Sequence, residues 1–365
     1  MTRSMLVTMR FFTPLLLTFL LGPPPLLSQA ALAAPPAVTA SQEDGPYVLW
    51  EGGKPKVLKV HQGKLEVSAL GPSLQLPLDG LPAFQLDPAP PKPAQDSFPA
   101  ADRIAAVSDI HGNYSGLLAL LQAQGIIGKD RRWSFGQGHL VVVGDLFDRG
   151  AQVTELLWFV RSLGQQAVLA GGAVHVVLGN HETMALRGDL RYLNPKYAAL
   201  RFGILPMDLP ALYGPSTELG RWLRSLPAFL KIGDVLFIHG GASPLLSYGP
   251  VNLGRLNADF RHALDAAGKD PLLGSSGPVW YRGLIPGAGQ GPDASDAQVA
   301  SILGAFQAKC MVIGHSTLEH VTAFHGGSVF GIDAGLKDGK PGEIWVRIGG
   351  RVFRGLADGG RIPLE

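Results

Sequence analysis

The stretch HLVVVGDLFDRG, residues 139–150, contains the two features that decide the fold of this chain. Its apolar run, residues 140–143, is short and does not alternate, which is typical of a strand buried on both faces of a sheet. Directly after this run come Asp145, Asp148 and Arg149. Because open α/β sheets place their ligand sites just past the C-terminal ends of strands, the stretch predicts a strand that delivers polar side chains to such a site.

Four other segments have the same arrangement, an apolar run that ends at a short polar sequence. The runs at 104–107, 174–178, 235–238 and 310–313 lead into SDIHGN (108–113), GNHE (179–182), HGG (239–241) and GHS (314–316). Helical patterns lie between the runs, and alternating runs at 328–332 and 343–348 predict closing antiparallel strands. Five strand ends that converge on one site predict an α/β fold in which helices cover the sheets.

The polar residues of these five segments have the chemistry that two adjacent divalent metals require. Carboxylates can bridge two metals or bind one, imidazoles complete each coordination shell, and an Asn carbonyl adds a neutral oxygen. Any one segment alone would be weak evidence, because Asp-x-His and Gly-His-Ser arise often by chance. All five in one order predict a phosphoester hydrolase with two metals.

The N-terminal residues have the layout of a secretory signal. Arg3 and Arg10 precede an apolar run at residues 11–21, and the small-residue sequence ALA follows at 31–33. The apolar run is shorter than the roughly 20 residues needed to span a bilayer. We therefore predict a cleaved signal peptide at residues 1–33, a periplasmic or secreted product and no stable membrane anchor after cleavage. An uncleaved N-terminal anchor is the alternative.

Charge and cysteine content exclude some classes of function. The chain has 31 Lys and Arg against 29 Asp and Glu, and removal of residues 1–33 takes away two Arg, which leaves 29 of each sign. This balance is unlike the basic face of a nucleic-acid binder, so we expect no nucleic-acid partner. Cys310 is the only cysteine, so an intrachain disulfide is impossible. No phosphate-binding Cys-x5-Arg loop surrounds it, which disfavours a catalytic thiol.

The N-terminal third predicts several units before the segments described above. Residues 34–45 are rich in Ala, Pro and Ser and predict a flexible leader. Short alternating stretches at 46–86, separated by GG, QG and DG, predict a small β-rich appendage of hairpins. Residues 87–102 are rich in Pro and predict a linker to the main domain.

Taken together, the ordered segments resemble the calcineurin-like metallophosphoesterases of the phosphoprotein-phosphatase branch. Members of that branch carry GDxHG, GDxxDRG and GNHE and two later histidines, and Ser108 stands here in place of the first Gly. The stretches NHETMALRGDLRY (180–192) and VWYRG (279–283) resemble the bacterial-type, Shewanella-like protein phosphatases in particular. The resemblance covers residues 103–348, the expected catalytic domain, and leaves 349–365 as a C-terminal extension. It implies an α/β fold, a β-sandwich flanked by helices.

The resemblance also implies a ligand set for two metals. The first metal would be held by Asp109, His111 and Asp145. The second would be held by Asp145, Asn180, His239 and His315, with Asp145 bridging the two. Oxygen and imidazole ligands suit Mn, Fe or Zn.

Four further residues would carry the chemistry. The resemblance implies a hydroxide shared by the metals as nucleophile, with His181 as the general acid that protonates the leaving oxygen. Asp148 would orient His181 or hold the water, and Arg149 would bind a phosphoryl oxygen through its forked donors. Arg282 is the expected second phosphate-binding arginine.

Three other residues allow two interpretations each. Asp333 either orients His315 as an outer carboxylate or begins a turn. Arg187 and Asp189 either line the site or pair with each other near a helix end.

The predicted function is that of an exported, metal-dependent phosphomonoesterase that acts on a phosphorylated protein. The sequence leaves open whether the phosphorylated residue is Ser, Thr or Tyr. One alternative is a hydrolase of dinucleoside polyphosphates or other small phosphate compounds, which the same core supports. Another is a catalytically silent binding protein on a phosphatase core, with the appendage contacting a partner or the cell envelope. The presence of every expected ligand disfavours that last alternative.

Overall fold

The computed structural model describes residues 42–246, 249–289 and 291–364, apart from the side chains of residues 201 and 202. The strands are β1 (Asp44–Glu51), β2 (Lys54–His61), β3 (Lys64–Ala69), β4 (Gln75–Leu76), β5 (Phe84–Gln85), β6 (Ser97–Phe98), β7 (Arg103–Val107), β8 (His139–Val143), β9 (Ala173–Val177), β10 (Phe229–Ile232), β11 (Val235–Ile238), β12 (Cys310–Ile313), β13 (Thr322–Phe324), β14 (Val329–Gly331), β15 (Glu343–Ile348), β16 (Arg351–Leu356) and β17 (Arg361–Pro363). The helices are α1 (Tyr114–Ala123), α2 (Val153–Leu169), α3 (Asn180–Leu186), α4 (Pro195–Gly203), α5 (Leu209–Leu212), α6 (Glu218–Ser225), α7 (Leu253–Asp265) and α8 (Asp296–Phe306). The expected signal peptide, residues 1–33, and the leader as far as residue 41 lie outside the described residues.

Two six-stranded sheets form the body of the fold. One has the order β13-β14-β12-β11-β10-β6 and the other the order β17-β16-β15-β7-β8-β9. Their inner faces share a buried apolar cluster that includes Val141 from β8, Phe237 from β11 and Trp345 from β15. The predicted α/β fold, a β-sandwich flanked by helices, is confirmed.

The strands that carry the polar segments run parallel within each sheet. The first sheet contains β11, β12 and β14 in parallel, and the second contains β7, β8 and β9 in parallel. Because β7, β8, β9, β11 and β12 all end just before their polar residues, the two sheets deliver these residues to one edge of the sandwich. The closing strand β15 is antiparallel to β7, as expected, whereas β14 is antiparallel only to β13.

The N-terminal strands β1, β2 and β3 form a small antiparallel sheet, which confirms the β-rich appendage. This sheet packs on α2, where Trp158 Nε1 donates to Pro46 O at 2.7 Å. The Asp44 carboxylate is buried, accepts from the Tyr47 hydroxyl and lies 3.2 Å from Lys196 Nζ. Lys196 Nζ also donates to Ala151 O at 2.8 Å, directly after the GDLFDRG segment. The first strand is thereby joined to that segment through one ammonium group.

Several element boundaries differ from the expected domain limits. Strand β1 begins at Asp44, inside the expected leader at 34–45. The expected linker at 87–102 contains β6, which pairs in parallel with β10 and extends the first sheet. The expected C-terminal extension at 349–365 contains β16 and β17, which extend the second sheet beyond β15.

Two further observations concern membrane insertion and the single thiol. None of the described helices is both long enough and apolar enough to cross a bilayer. Cys310 opens β12, at the opposite end of the strand from His315, and burial raises the pKa of its thiol to about 11. A thiol with this pKa is protonated and unreactive near neutral pH.

Candidate active site

Six residues of the polar segments have a left-handed backbone conformation. Their φ angles are positive: Asp109 (51°), His111 (48°), Asp145 (58°), Asp148 (69°), Arg149 (63°) and His315 (65°). Residues other than Gly rarely adopt this conformation, which costs on the order of 1–3 kcal/mol each. Such strain persists only where the surrounding structure enforces it, and it clusters at functional sites. The strands of both sheets therefore hold these segments in strained backbone conformations. This strain is consistent with a functional role for their side chains.

The carboxylate of Asp145 lies at the centre of the site. Its Oδ2 is 3.2 Å from His239 Nε2, 3.4 Å from His111 Nε2 and 3.9 Å from His181 Nε2. Its Oδ1 accepts from the backbone N–H of His181 at 3.0 Å. One carboxylate that faces imidazoles from three different segments is suited to bridge two cations.

The donor atoms form two groups that share Asp145. One group is His111, Asp145 and His181, the other is Asp145, His239 and His315, and the atoms of each lie within 4.8 Å of one another. His315 Nε2 is buried and has no hydrogen-bond partner among the described residues. A buried imidazole nitrogen without a partner is unfavourable unless a cation binds it, so this residue set fits a pair of metal ions.

The two remaining expected ligands lie beside these groups. Asn180 Oδ1 is 3.0 Å from His239 Nε2. Asp109 Oδ1 is 3.9 Å from His111 Nε2, and Asp109 Oδ2 accepts from the backbone N–H of His315 at 2.9 Å. The structure thus brings all six residues expected as ligands to one place.

Two of the histidines have tautomers fixed by backbone carbonyls. His111 Nδ1 donates to Phe147 O, and His239 Nδ1 donates to Val143 O, each at 2.7 Å. In the neutral form of each ring the hydrogen is therefore on Nδ1, and the lone pair on Nε2 is directed at the centre of the site. This is the usual arrangement of metal-binding histidines, whose second nitrogen is held by an outer partner.

Burial dominates the titration of His111 and His315. It lowers the pKa of His111 to about 4, although the charge of Asp145 opposes the shift. Burial, together with the charge of the neighbouring His239, lowers the pKa of His315 to about 2. Both imidazoles are therefore neutral at physiological pH, which is the state that binds a metal.

Burial and neighbouring charges together shift the pKa values of Asp145, His239 and Asp109. Burial raises the pKa of Asp145, but His239 and His111 outweigh burial and hold it well below its usual range. Burial lowers the pKa of His239, but Asp145 raises it to about 10. Burial and Asp333 raise the pKa of Asp109 to about 7. Without a metal, a proton on His239 balances the charge of Asp145, and a bound cation would displace that proton.

His181 and Asp148 form the pair that the resemblance implies. His181 Nδ1 is 2.5 Å from Asp148 Oδ2, and both side chains are buried. Burial lowers the pKa of His181, but the hydrogen bond to Asp148 and the charge of Asp145 raise it on balance. His181 can therefore hold a proton, and Asp148 fixes the orientation of its ring.

The two expected arginines lie at the edge of the same pocket, which has a volume of about 140 Å³. Arg282 Nη1 donates to His315 O at 2.6 Å and to Ser316 Oγ at 3.2 Å. Arg149 is exposed, and its guanidinium carbon lies 5.6 Å from the centre of the Tyr192 ring. Both guanidinium groups can reach an anion in the pocket.

Glu182 is a residue whose role the sequence analysis missed. It has 0% exposure, and it accepts four backbone N–H bonds. Oε2 accepts from Asp145 (2.8 Å) and Gly179 (2.7 Å), and Oε1 accepts from Leu146 (2.7 Å) and Phe147 (3.2 Å). Its bond to Gly179 forms half of a capping box at the start of α3. A Glu three residues after a helix N-cap is a recognisable sequence signal for the bond to Gly179. The bonds to Asp145, Leu146 and Phe147 have no sequence signal.

Lys337 was also missed, and it lines the pocket from a different direction. Its Nζ lies 2.6 Å from Asp333 Oδ2 and 2.6 Å from Thr317 Oγ1, and its side chain is mostly buried. Asp333 accepts from Lys337 Nζ, from Thr317 Oγ1 and, at 3.1 Å, from Gly335 N. The bond to Gly335 N supports the interpretation that Asp333 begins a turn. None of these contacts involves His315. Because these contacts are tertiary, only the i, i+4 spacing of Asp333 and Lys337 could have suggested them.

Neither interpretation of Arg187 and Asp189 is correct. Arg187 Nη1 donates to the carbonyls of Ala263 (2.9 Å) and Ala266 (2.8 Å) at the C-terminal end of α7. Asp189 pairs instead with Arg191, whose Nε donates to Asp189 Oδ1 at 2.9 Å. Arg187 therefore caps a helix and takes no part in the site.

Comparison with known proteins agrees with the fold and the site. Residues 102–317 match the model of a family described as calcineurin-like phosphoesterases. Shewanella-like protein phosphatase 1 of Plasmodium berghei is 26% identical over 244 residues, 64% of this chain and 67% of that protein. Shewanella-like protein phosphatase 2 of Arabidopsis thaliana is 26% identical over 314 residues, 73% of this chain and 75% of that protein. The crystal structure of a cold-active protein-tyrosine phosphatase from a psychrophilic Shewanella species is 37% identical, with a TM-score of 0.81 over 89% of this chain and 100% of that one.

The four bonds to Glu182 lead to a stability prediction. In Glu182→Gln, the amide oxygen can still accept, but the amide nitrogen faces backbone N–H donors and leaves them unsatisfied. We expect the free energy of unfolding to fall by about 1–3 kcal/mol, measured by urea denaturation followed by tryptophan fluorescence. Glu66→Gln, at an exposed carboxylate on β3, is the control. An equal effect of the two substitutions would contradict the role of Glu182.

Proposed function

The chain belongs to the calcineurin-like phosphoesterase family, and on that premise we propose that it is an exported, metal-dependent protein phosphatase. The observation that carries the proposal is the pair of donor groups sharing Asp145, with Arg149 and Arg282 at the edge of the same pocket. Metals and guanidinium groups together suit the dianionic charge of a phosphomonoester. The layout of residues 1–33 supports export to the periplasm or the medium.

The six ligand residues divide between two divalent ions. Asp109, His111 and Asp145 would hold one ion. Asp145, Asn180, His239 and His315 would hold the other. Mn, Fe or Zn suit this mixture of oxygen and imidazole donors. When bound, the ions would supply an activated water and neutralise charge on the phosphoryl group.

His181 is assigned as the general acid, although its Nε2 also faces Asp145. The distance from His181 Nε2 to Asp145 Oδ2 is 3.9 Å, longer than the corresponding distances for His111 and His239. The partner of Nδ1 also differs, because His111 and His239 donate Nδ1 to neutral backbone carbonyls, whereas His181 Nδ1 faces the Asp148 carboxylate, which stabilises a protonated ring. In the reaction, Nε2 gives its proton to the leaving oxygen while Asp148 holds Nδ1.

The aromatic residues that line the catalytic pocket favour phosphotyrosine as the substrate residue. The rings of Tyr192 and Trp280 line the pocket, and Tyr192 lies 5.2 Å from the His181 ring, centre to centre. Aromatic walls beside the general acid can pack against a phenyl leaving group. The likeness to a protein-tyrosine phosphatase across 89% of this chain supports the same choice.

The direct test is turnover on matched phosphotyrosine, phosphoserine and phosphothreonine peptides and on a dinucleoside tetraphosphate. Each would be assayed after chelation and again after Mn²⁺ is restored. We expect metal-restored dephosphorylation, highest for phosphotyrosine. Cleavage of the nucleotide alone would move the function to small phosphate compounds. Bound metal without turnover of any of the four would favour the binding protein.

Asp145→Asn tests the shared ligand. Loss of one carboxylate charge weakens both metals, so turnover should fall by more than the roughly 10–100-fold that follows loss of an outer partner. Metal content per chain, measured by elemental analysis, should fall with it. Asp130→Asn, at an exposed carboxylate, is the control. Near wild-type turnover in Asp145→Asn would rule out the two-metal assignment.

Lys337 is proposed as a third cationic side chain for the phosphoryl group, beside Arg149 and Arg282. Its ammonium has three donors, and Asp333 and Thr317 account for two of them. Lys337→Met should raise KM and the inhibition constant for inorganic phosphate about tenfold or more, the value of a hydrogen bond to a charged group.

Because that variant leaves the buried Asp333 charge unpaired, its stability should also fall. The double variant Lys337→Met with Asp333→Asn removes both charges and separates the two effects. Stability should recover in the double variant while phosphate inhibition stays weak. If both the stability and the inhibition by phosphate returned to wild-type values, Lys337 would act only as the partner of Asp333.

A further inference from the structure

A second cavity of about 780 Å³ adjoins the catalytic pocket and shares Trp280 and Arg282 with it. Trp280 forms the wall between the two spaces, because its ring packs edge-on against His315 with a centre-to-centre distance of 5.6 Å. Arg282 is held at the same boundary by its bond to His315 O. A ligand whose phosphoryl group lies in the pocket can therefore continue into this cavity, which we call the flanking groove.

The catalytic pocket alone is too small for a polypeptide. Its volume of about 140 Å³ is below the roughly 300–1,000 Å³ of pockets that enclose a small organic ligand. The rest of a phosphorylated chain must therefore lie outside it. The flanking groove has the necessary volume and starts at the residues that end the pocket.

The walls of the flanking groove offer both apolar and hydrogen-bonding groups. Leu245 is 62% exposed, and Ser275 and Ser276 are exposed on the same lining. Ser243 Oγ, also on the lining, is buried and has no hydrogen-bond partner among the described residues. This mixture suits a peptide, whose backbone needs polar partners and whose side chains need apolar contact.

The charged lining residues of the groove are Arg282 and Asp293. Arg282 lies at the boundary with the catalytic pocket. Both carboxylate oxygens of Asp293 lie near Gly287 N, at 3.2 and 3.0 Å, and Ala294 N donates to Gly283 O at 2.7 Å. These backbone contacts fix the position of Asp293. Its carboxylate is exposed and forms no ion pair with the described residues.

We propose that the flanking groove binds the polypeptide next to the phosphorylated residue, and that Asp293 selects a Lys or Arg side chain in that segment. This inference rests on the proposed protein phosphatase activity. The groove thereby matches a substrate with a phosphate at one place and a positive charge a short distance along the chain. Asp293 acts as a specificity-determining residue and does not touch the reacting atoms.

The test compares kcat/KM of the full chain for phosphotyrosine peptides that differ only in one flanking residue. An Arg would be moved through the positions on both sides of the phosphotyrosine and compared with Ala and with Glu at the same position. p-Nitrophenyl phosphate, which has no flanking residues, reports the catalytic site alone. We expect Arg to exceed Ala about two- to fivefold at its best position, as an exposed charge pair would give. The preference should shrink as salt is added.

Two substitutions at Asp293 test its role in selecting Arg. Asp293→Asn keeps an oxygen that can accept from Gly287 N but removes the charge, so the preference for Arg should disappear. Asp293→Lys should reverse it in favour of Glu. Turnover of p-nitrophenyl phosphate should be unchanged in both variants, since neither alters the catalytic pocket. Glu66→Gln, at an exposed carboxylate on β3, should keep the wild-type preference.

The outcomes separate failure of this inference from failure of the proposed function. If the wild type hydrolyses the peptides but Asp293→Asn and Asp293→Lys keep its preference, the role of Asp293 is overturned while the phosphatase assignment stands. If the wild type hydrolyses p-nitrophenyl phosphate but none of the peptides, both the groove and the protein phosphatase assignment are overturned. Loss and reversal of the preference in the two variants would establish the groove.

Discussion

The site depends on one buried carboxylate that binds no substrate. Glu182 accepts hydrogen bonds from backbone N–H groups of the segment after β8 and of the residue before α3. It therefore fixes the positions of these two polar segments relative to each other. Asp145 lies in the first segment and Asn180 in the second. Since Asp145 in turn faces His111, His181 and His239, the geometry of the whole centre follows from that arrangement.

The strain in the site is balanced by hydrogen bonds between its segments. The backbone N–H of Asp109 donates to Gly144 O at 3.2 Å, and that of His111 donates to Asp145 O at 2.9 Å. These bonds join the ends of β7 and β8, which are already paired in parallel register. Left-handed residues are thus held by partners on a neighbouring strand, and the site is organised by the sheets before any ligand binds.

Local sequence predicted the strands well, because each strand depends on a few adjacent residues, whereas the roles of the residues expected as ligands stay a prediction. The apolar runs before Asp109, Asp145 and His315 are strands in the structure, and the ligand residues follow them directly. A role that depends on residues far apart in the chain has no such local signal. The bonds of Glu182 to residues 145–147 form only when β8 and β9 pair, and the contact of Lys337 with Thr317 forms only when β12 and β14 pair. Short edge strands such as β6 and β17 were missed because their sequences lack a hydrophobic pattern.

The contact of Lys196 with both Asp44 and Ala151 changes what counts as the smallest working unit of this enzyme. All the recognisable segments lie between residues 108 and 316, so a fragment that begins at β7 retains every expected ligand. Such a fragment would lose Asp44, and Lys196 Nζ would keep Glu155 Oε1, at 3.4 Å, as its carboxylate partner beside Ala151. The structural unit that supports the site therefore begins at β1, well before Asp109, the first residue expected to bind a metal.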